Sequence, residues 1–264
     1  MKESEFLLAH LAGLQPIDLY ISRGLSLLPE LQKRYRGLLK RREKGEPLQY
    51  IIGSSQFMGL DFKLNRDVFI PRPETEILIE AILARQIPQS AFILDIGTGC
   101  GNIAVTLAAF LPQSRVLAID RSESALKIAA LNGRQHNVLD RVSFVQRDIF
   151  EGLDKKEEFD LIVSNPPYIR TGDLPALPPE VNYEPPLALD GGKDGFFVLR
   201  EIIRQADRYL KSGGWLVLEI GAGQSAGVRK MIARLGKFEG PEIIKDYSGI
   251  DRVVIARKHG KDCH

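Results

Sequence analysis

The chain of 264 residues has only two cysteines, Cys100 and Cys263, and they lie far apart. Two distant thiols make neither a disulfide framework nor a zinc site. The four histidines, His10, His136, His259 and His264, share no ligand spacing, so no metal is expected. No apolar run reaches the roughly 18 residues that a membrane helix needs. No charged-then-apolar leader follows Met1, and a cytoplasmic protein that leaves membranes alone is the expectation. Charge of one sign is not in excess: 36 Lys and Arg against 34 Asp and Glu leave +2. That is too little to draw in a nucleic-acid polymer, so no direct nucleic-acid contact is expected. The chain is 44% hydrophobic and 27% charged, as in soluble globular proteins. Its length suits one large domain, or a large and a small one.

Residues 1–45 lack valine altogether and are rich in Leu, Lys, Arg and Glu. Phe6, Leu7, Leu8, Leu11 and Leu14 have helical spacing, as do Leu27, Leu28, Leu31, Tyr35, Leu38 and Leu39. A small helical domain is expected there, with a basic second helix carrying Lys33, Arg34, Arg36, Lys40, Arg41, Arg42 and Lys44. Such a run is either a solvated face or a docking surface for an acidic partner. Residues 46–75 read as a connector: a short hairpin over Gln56–Phe62, then Val68–Glu74 leading into a helix from Thr75.

From residue 76 to 264 the pattern alternates. Helix 75–86 precedes strand 91–95, helix 101–110, strand 116–120, helix 122–132, strand 142–146 and strand 160–164. Helix 195–210, strand 215–220 and helix 224–235 follow, and strands 242–245 and 252–256 end the series. Alternation of this kind argues an α/β fold with a parallel sheet covered on both faces. The last two strands are too close for a crossover and read as a hairpin. Between Arg170 and Asp194 lies a long stretch with five prolines and no periodicity. A loop that long within a compact domain is usually functional, and it starts just after the most distinctive motif of the chain.

That motif is Asn165-Pro166-Pro167-Tyr168, which ends the apolar run Leu161-Ile162-Val163. Pro166 cannot donate to a ladder, so a buried strand should stop there with Asn165 at its tip. Asn165 Oδ1 and the Pro166 carbonyl are two acceptors in tandem beside a flat ring, a setting that suits a planar NH2 group. A second motif, Asp95-Ile96-Gly97-Thr98-Gly99-Cys100-Gly101, joins a strand to a helix. Its glycines allow close backbone approach, and free amides at the helix start favour an anion. Asp120, at the end of the next strand, suits two ribose hydroxyls. The glycine spacing fits a dinucleotide fingerprint poorly, and an acid at Asp95 repels a pyrophosphate but accepts an ammonium. Together these features point to S-adenosylmethionine. Asp148 could accept from an adenine amino group, with Ile149 packed on the ring or simply in the core.

On these residues the chain resembles the class I S-adenosylmethionine-dependent methyltransferases. More narrowly it resembles the bacterial peptide chain release factor glutamine N5-methyltransferases, the PrmC/HemK family. The resemblance also rests on Gly45-Glu46-Pro47-Leu48-Gln49-Tyr50-Ile51-Ile52-Gly53, Ile70-Pro71-Arg72-Pro73-Glu74-Thr75-Glu76 and Glu184-Pro185-Pro186-Leu187-Ala188-Leu189-Asp190-Gly191-Gly192-Lys193-Asp194-Gly195. It implies a Rossmann-like, mostly parallel seven-stranded sheet with an antiparallel C-terminal strand and a small N-terminal helical domain. It implies that Asp95, Ile96, Gly97, Thr98, Gly99, Asp120, Asp148, Ile149 and Asn165 hold S-adenosylmethionine, which leaves as S-adenosylhomocysteine. Asn165, Pro166, Pro167 and Tyr168 then receive the glutamine of the Gly-Gly-Gln loop of release factors 1 and 2, with Asn165 and Pro166 as the catalytic pair. A monomer is expected. The alternatives are an adenine N6 or guanine N2 amine, a ribosomal-protein glutamine, or a non-catalytic scaffold. Arg72 and Glu74 either form a salt bridge that locks the connector or line the cavity from its far side.

Overall fold

The computed structural model describes residues 2–14, 17–21, 28–154, 156 and 158–260. Leu27, Cys263 and His264, used above, lie outside them. The N-terminal helices are α1 (Glu3–Ala12), α2 (Asp18–Ile21), α3 (Pro29–Glu43) and α4 (Leu48–Ile52). In α1, Leu7 and Ala9 are buried, and Tyr35 of α3 donates to the Ser4 carbonyl. The basic helix is not uniformly solvated. Arg41 pairs with Glu46, and Arg42 spans Glu3 and Glu180, so two of its cations brace the fold while Lys33, Arg34, Arg36, Lys40 and Lys44 stay exposed. Leu28 precedes this helix and is exposed, contrary to its place in the apolar stripe.

The hairpin is β1 (Ser54–Phe57) and β2 (Leu60–Lys63), closed by Met58-Gly59. Phe62 is fully buried, and its ring lies against that of His136. Helix α5 (Pro73–Leu83) starts two residues before the expected Thr75. Proline at its first position needs no N–H and already has helical φ.

The main sheet contains β3 (Phe92–Ile96), β4 (Arg115–Asp120), β5 (Val142–Gln146), β6 (Phe159–Ser164), β7 (Leu210–Glu219), β8 (Glu242–Lys245) and β9 (Asp251–Arg257). The helices between them are α6 (Asn102–Phe110), α7 (Glu123–Gln135), α8 (Phe197–Tyr209) and α9 (Ser225–Leu235). The strand order is β5-β4-β3-β6-β7-β9-β8, with β9 antiparallel to both neighbours. The last two strands thus pair as a hairpin. Strand β7 begins five residues before the expected Trp215, because Leu210 already pairs with Phe159 ahead of a register shift. Gly213 and Gly214 interrupt the apolar run there.

The strands read as continuous apolar runs because both sheet faces are covered. Ile93, Leu161 and Val163 belong to the core shared with α5, α6 and the hairpin. Leu94, Ile96 and Ile162 belong to the core under α8 and α9. From β3 the chain moves outward to β4 and β5, then returns to place β6 on the other side of β3. That reversal opens a crevice at the carboxyl ends of β3 and β6, where open α/β sheets bind ligands. Ser164 Oγ donates to the Ile96 carbonyl at 2.7 Å and ties these two ends together.

Candidate active site

One cavity fills this crevice. Its walls include Ile96–Cys100 from the glycine turn, Asp120 from the end of β4, and Asp148 and Ile149 beyond β5. Ser164–Ile169 line it from the end of β6, Pro185 and Leu187–Asp190 from the long loop, and Asp67–Phe69, Pro71 and Thr75 from the far side. The expected site residues therefore converge, with one exception. Asp95 is fully buried behind the turn and is not part of the cavity wall.

The amides of the glycine turn before the helix are engaged within the protein. Gly97 N and Thr98 N both donate to the Ile119 carbonyl, Gly101 N donates to Thr98 O, and Gly99 N donates to Asp120 Oδ2 at 2.9 Å. Asp120 Oδ1 accepts from Ser122 N at 2.9 Å. Asp120 thus locks the turn to the start of α7 and retains lone pairs toward the cavity. Gly97 and Gly99 have φ of 72° and 56°, and no protein atom lies within 4 Å of where a β-carbon would stand on either. They give the chain its left-handed bends and keep the wall low.

Beneath the turn, Asp95 Oδ2 accepts from Thr98 Oγ1 at 2.7 Å, whereas Oδ1 is buried without a hydrogen-bond partner. Burial pushes the Asp95 carboxyl up to about 7, opposed by the Thr98 hydroxyl and reinforced by the Asp120 charge. Burial also raises Asp120, against the amides of Ser122 and Gly99. The Cys100 thiol is buried and pushed up to about 12, which leaves it unreactive.

On the opposite wall, Asp148 is exposed at the rim and Ile149 is half-buried. Ile149 has φ of 51°. That is an outlier for a β-branched residue and costs on the order of 1–3 kcal/mol, the kind of strain that collects at ligand sites. Phe150 is core, stacked on Tyr209 at 4.7 Å.

The Asn-Pro-Pro-Tyr segment sits at the tip of β6 as expected. Asn165 Nδ2 donates to Thr75 Oγ1 at 3.1 Å. Thr75 Oγ1 in turn donates to Glu219 Oε2 at 2.7 Å, and Tyr168 OH reaches Glu219 Oε1 at 3.5 Å. The amide nitrogen of Asn165 is thereby engaged, and Oδ1 is its free end. Gly191 presses on the motif from the loop, since a β-carbon there would stand 2.7 Å from Tyr168 Cα. Gln224 Nε2 donates to Gly195 O at 2.9 Å and to Tyr168 O at 3.4 Å. The loop is not structureless. It contains three short 3-10 turns, at Thr171–Ala176, Val181–Tyr183 and Pro186–Ala188.

Arg72 does form a salt bridge, but its partner is Glu184 of the long loop and not Glu74. The other Glu184 oxygen accepts from Ile70 N at 3.2 Å. Neither Arg72 nor Glu74 lines the cavity. Sequence reasoning missed Thr75 and Glu219. Glu219 carried a readable signal, an acid at the end of an apolar strand, the same feature that singled out Asp120.

A strand-tip amide, a glycine turn and an acid at the adjacent strand end thus meet at one cavity. The family model described as a methyltransferase domain matches residues 89–248, and fold and site together are those of a methyltransferase. A second model, for a PrmC N-terminal domain, matches residues 1–53. The release factor glutamine methyltransferase of Geobacter sulfurreducens is 46% identical, over 97% of this chain and 88% of its own length. That of Thermodesulfovibrio yellowstonii is 40% identical, over 98% and 92%. The chain belongs to the release factor glutamine methyltransferase family. Among solved structures, a methyltransferase from Pyrococcus furiosus superposes with a TM-score of 0.59 at 20% identity, over 86% of this chain and 98% of that one. The Thermus thermophilus 16S rRNA N2 G1207 methyltransferase, in complex with AdoMet and guanosine, superposes at 0.58 with 20% identity, over 78% and 50%. These two likenesses concern the fold. Among the described residues no helix is long and apolar enough to cross a membrane, and no group of three His, Cys, Asp or Glu could hold a metal ion.

Proposed function

We propose that this protein transfers a methyl group from S-adenosylmethionine to the side-chain amide nitrogen of the Gly-Gly-Gln glutamine in peptide chain release factors 1 and 2, in the cytoplasm. The observation that carries the reading is the Asn165 amide, tethered through Nδ2 to Thr75 with Oδ1 left free at the cavity.

The donor's fit rests on two features of the cavity wall. Asp120 keeps acceptor capacity for ribose hydroxyls, and Ile149 offers an apolar wall for a base beside Asp148. Bound there, the donor supplies an electrophilic methyl group on a positive sulfonium.

The residues of this chain then work on the acceptor. An amide nitrogen is a weak nucleophile because its lone pair is delocalised into the carbonyl. Asn165 Oδ1 and the Pro166 carbonyl each accept one N–H of the glutamine amide. They hold the nitrogen, favour its pyramidalisation and turn the lone pair toward the methyl carbon, so that the rate gain is largely one of alignment. The same oxygens stabilise positive charge developing on nitrogen. The Tyr168 ring, with Pro167 beside it, fixes the plane of the amide. The proton leaves to water after transfer.

The test is methyl labelling from radioactive S-adenosylmethionine, with purified release factor, ribosomal protein and oligonucleotide offered separately, followed by mapping of the labelled residue. Label on a release-factor glutamine supports the reading. Label on a nucleobase amine or a ribosomal-protein glutamine replaces it.

A further inference from the structure

Glu219 is 1% exposed, lies at the last position of β7, and reaches the Asn-Pro-Pro-Tyr segment from behind. Its two oxygens face Thr75 Oγ1 at 2.7 Å and Tyr168 OH at 3.5 Å. The chain Glu219–Thr75–Asn165 has a sense of direction that follows from the chemistry of its members. A carboxylate only accepts, so the Thr75 hydroxyl must spend its single hydrogen on Glu219. Its lone pairs are then what Asn165 meets, and only the NH2 end of the Asn165 amide can use them. With that end committed, Oδ1 faces the cavity.

We infer that Glu219, acting through Thr75, is a positioning residue that determines which end of the Asn165 amide meets the acceptor, and that its carboxylate form is the active one. The inference rests on the proposed methyl transfer to an amide nitrogen. With Glu219 protonated, its O–H donates to Thr75 Oγ1 and the Thr75 hydrogen swings toward Asn165. The amide then turns Oδ1 to Thr75 and presents NH2 to the substrate's NH2, donor against donor. The site closes to the acceptor with no change of fold.

The surroundings of Glu219 give this switch its range. Burial raises its pKa to about 7, and Glu74 on α5 adds to the rise. The Thr75 hydrogen bond, the Arg252 charge on β9 and the Tyr168 hydroxyl pull the other way. Arg252 is shared, since its guanidinium also holds Asp246 at 3.0 Å.

The experiment measures kcat for release-factor methylation between pH 6 and 9, with S-adenosylhomocysteine affinity measured in parallel by calorimetry. For wild type, kcat rises with pH through an inflection near 7. Glu219→Gln loses that inflection and falls at least about tenfold in kcat at pH 8, comparable to loss of one preorganised group. Its S-adenosylhomocysteine affinity stays within about threefold. Thr75→Val, which removes only the hydroxyl relay, gives the same loss of kcat, and Thr75→Ser restores most of it. Binding of S-adenosylhomocysteine by each variant reports folding independently of turnover. An inflection that persists in Glu219→Gln, or undiminished kcat in Thr75→Val, overturns the inference while leaving the methyl-transfer reading intact. Absence of release-factor methylation by wild type overturns the reading itself.

Discussion

Arg72 and Glu184 stand 112 residues apart in the chain and form an ion pair between the entry to α5 and the long loop over the site. The Glu184 side chain is 2% exposed against 32% for Arg72, so the acid depends on the arginine far more than the reverse. Removing one partner of a buried pair costs about 3–5 kcal/mol, and the partial exposure of Arg72 puts the expected value at the lower end. Arg72→Met should lower stability in urea unfolding by about 3 kcal/mol. Adding Glu184→Gln to it should recover a large part of that loss. Additive losses in the double variant would mean that the two side chains do not act as a pair.

Asp120 accepts from two backbone amides, Gly99 N and Ser122 N. Asp120→Ala leaves both donors unmatched, loosens the glycine turn and removes the proposed acceptor for a ribose. Hydrogen bonds to a charged group contribute about 1.5–3 kcal/mol each. S-adenosylhomocysteine binding should therefore weaken at least about tenfold by calorimetry, with a smaller effect on kcat at saturating donor. Unchanged affinity would place the nucleoside elsewhere.

Asp95 predicts a pH dependence of stability. Its folded pKa is raised to about 7 from an unfolded value near 3.8. Between those values the native state holds a proton that the unfolded state has lost. Stability is therefore fully present below about pH 4 and declines as pH rises through 7, with a slope of up to about 1.4 kcal/mol per unit. Glu219 adds in the same sense. Carboxylates held low by partners, such as Glu46 at about 2, act at lower pH and with the opposite sign. Unfolding of the ligand-free protein between pH 5 and 8 should show the decline, and Asp95→Asn should flatten it. An equal slope in the variant would assign it to other groups.

Much of this architecture was legible in the chain. Strand β6 shows as an apolar run because both of its faces are covered, and the prolines after Asn165 mark its end. The same logic located β3, its glycine turn and Asp120. What escaped was whatever depends on pairing across long distances. Nothing near Thr75 announces Glu219, 144 residues away, and nothing near Arg72 announces Glu184. Nor does the turn itself announce that the amides of Gly97, Thr98 and Gly99 donate to Ile119 O and Asp120 of the neighbouring strand. Asp95 looked like a wall residue because a strand pattern does not say which acid at a strand end is covered by the turn that follows. The start of β7 was hidden by Gly213 and Gly214, and the start of α5 by two prolines that read first as a break.

The central claim is that Asn165 aligns the acceptor amide through Oδ1. The direct measurement is kcat of Asn165→Ala on its release-factor substrate at saturating donor, with S-adenosylhomocysteine affinity measured on the same preparation. The account predicts a fall in kcat of at least about a hundredfold with affinity within about threefold of wild type. Turnover close to wild type, with the methyl group still on glutamine, would contradict it.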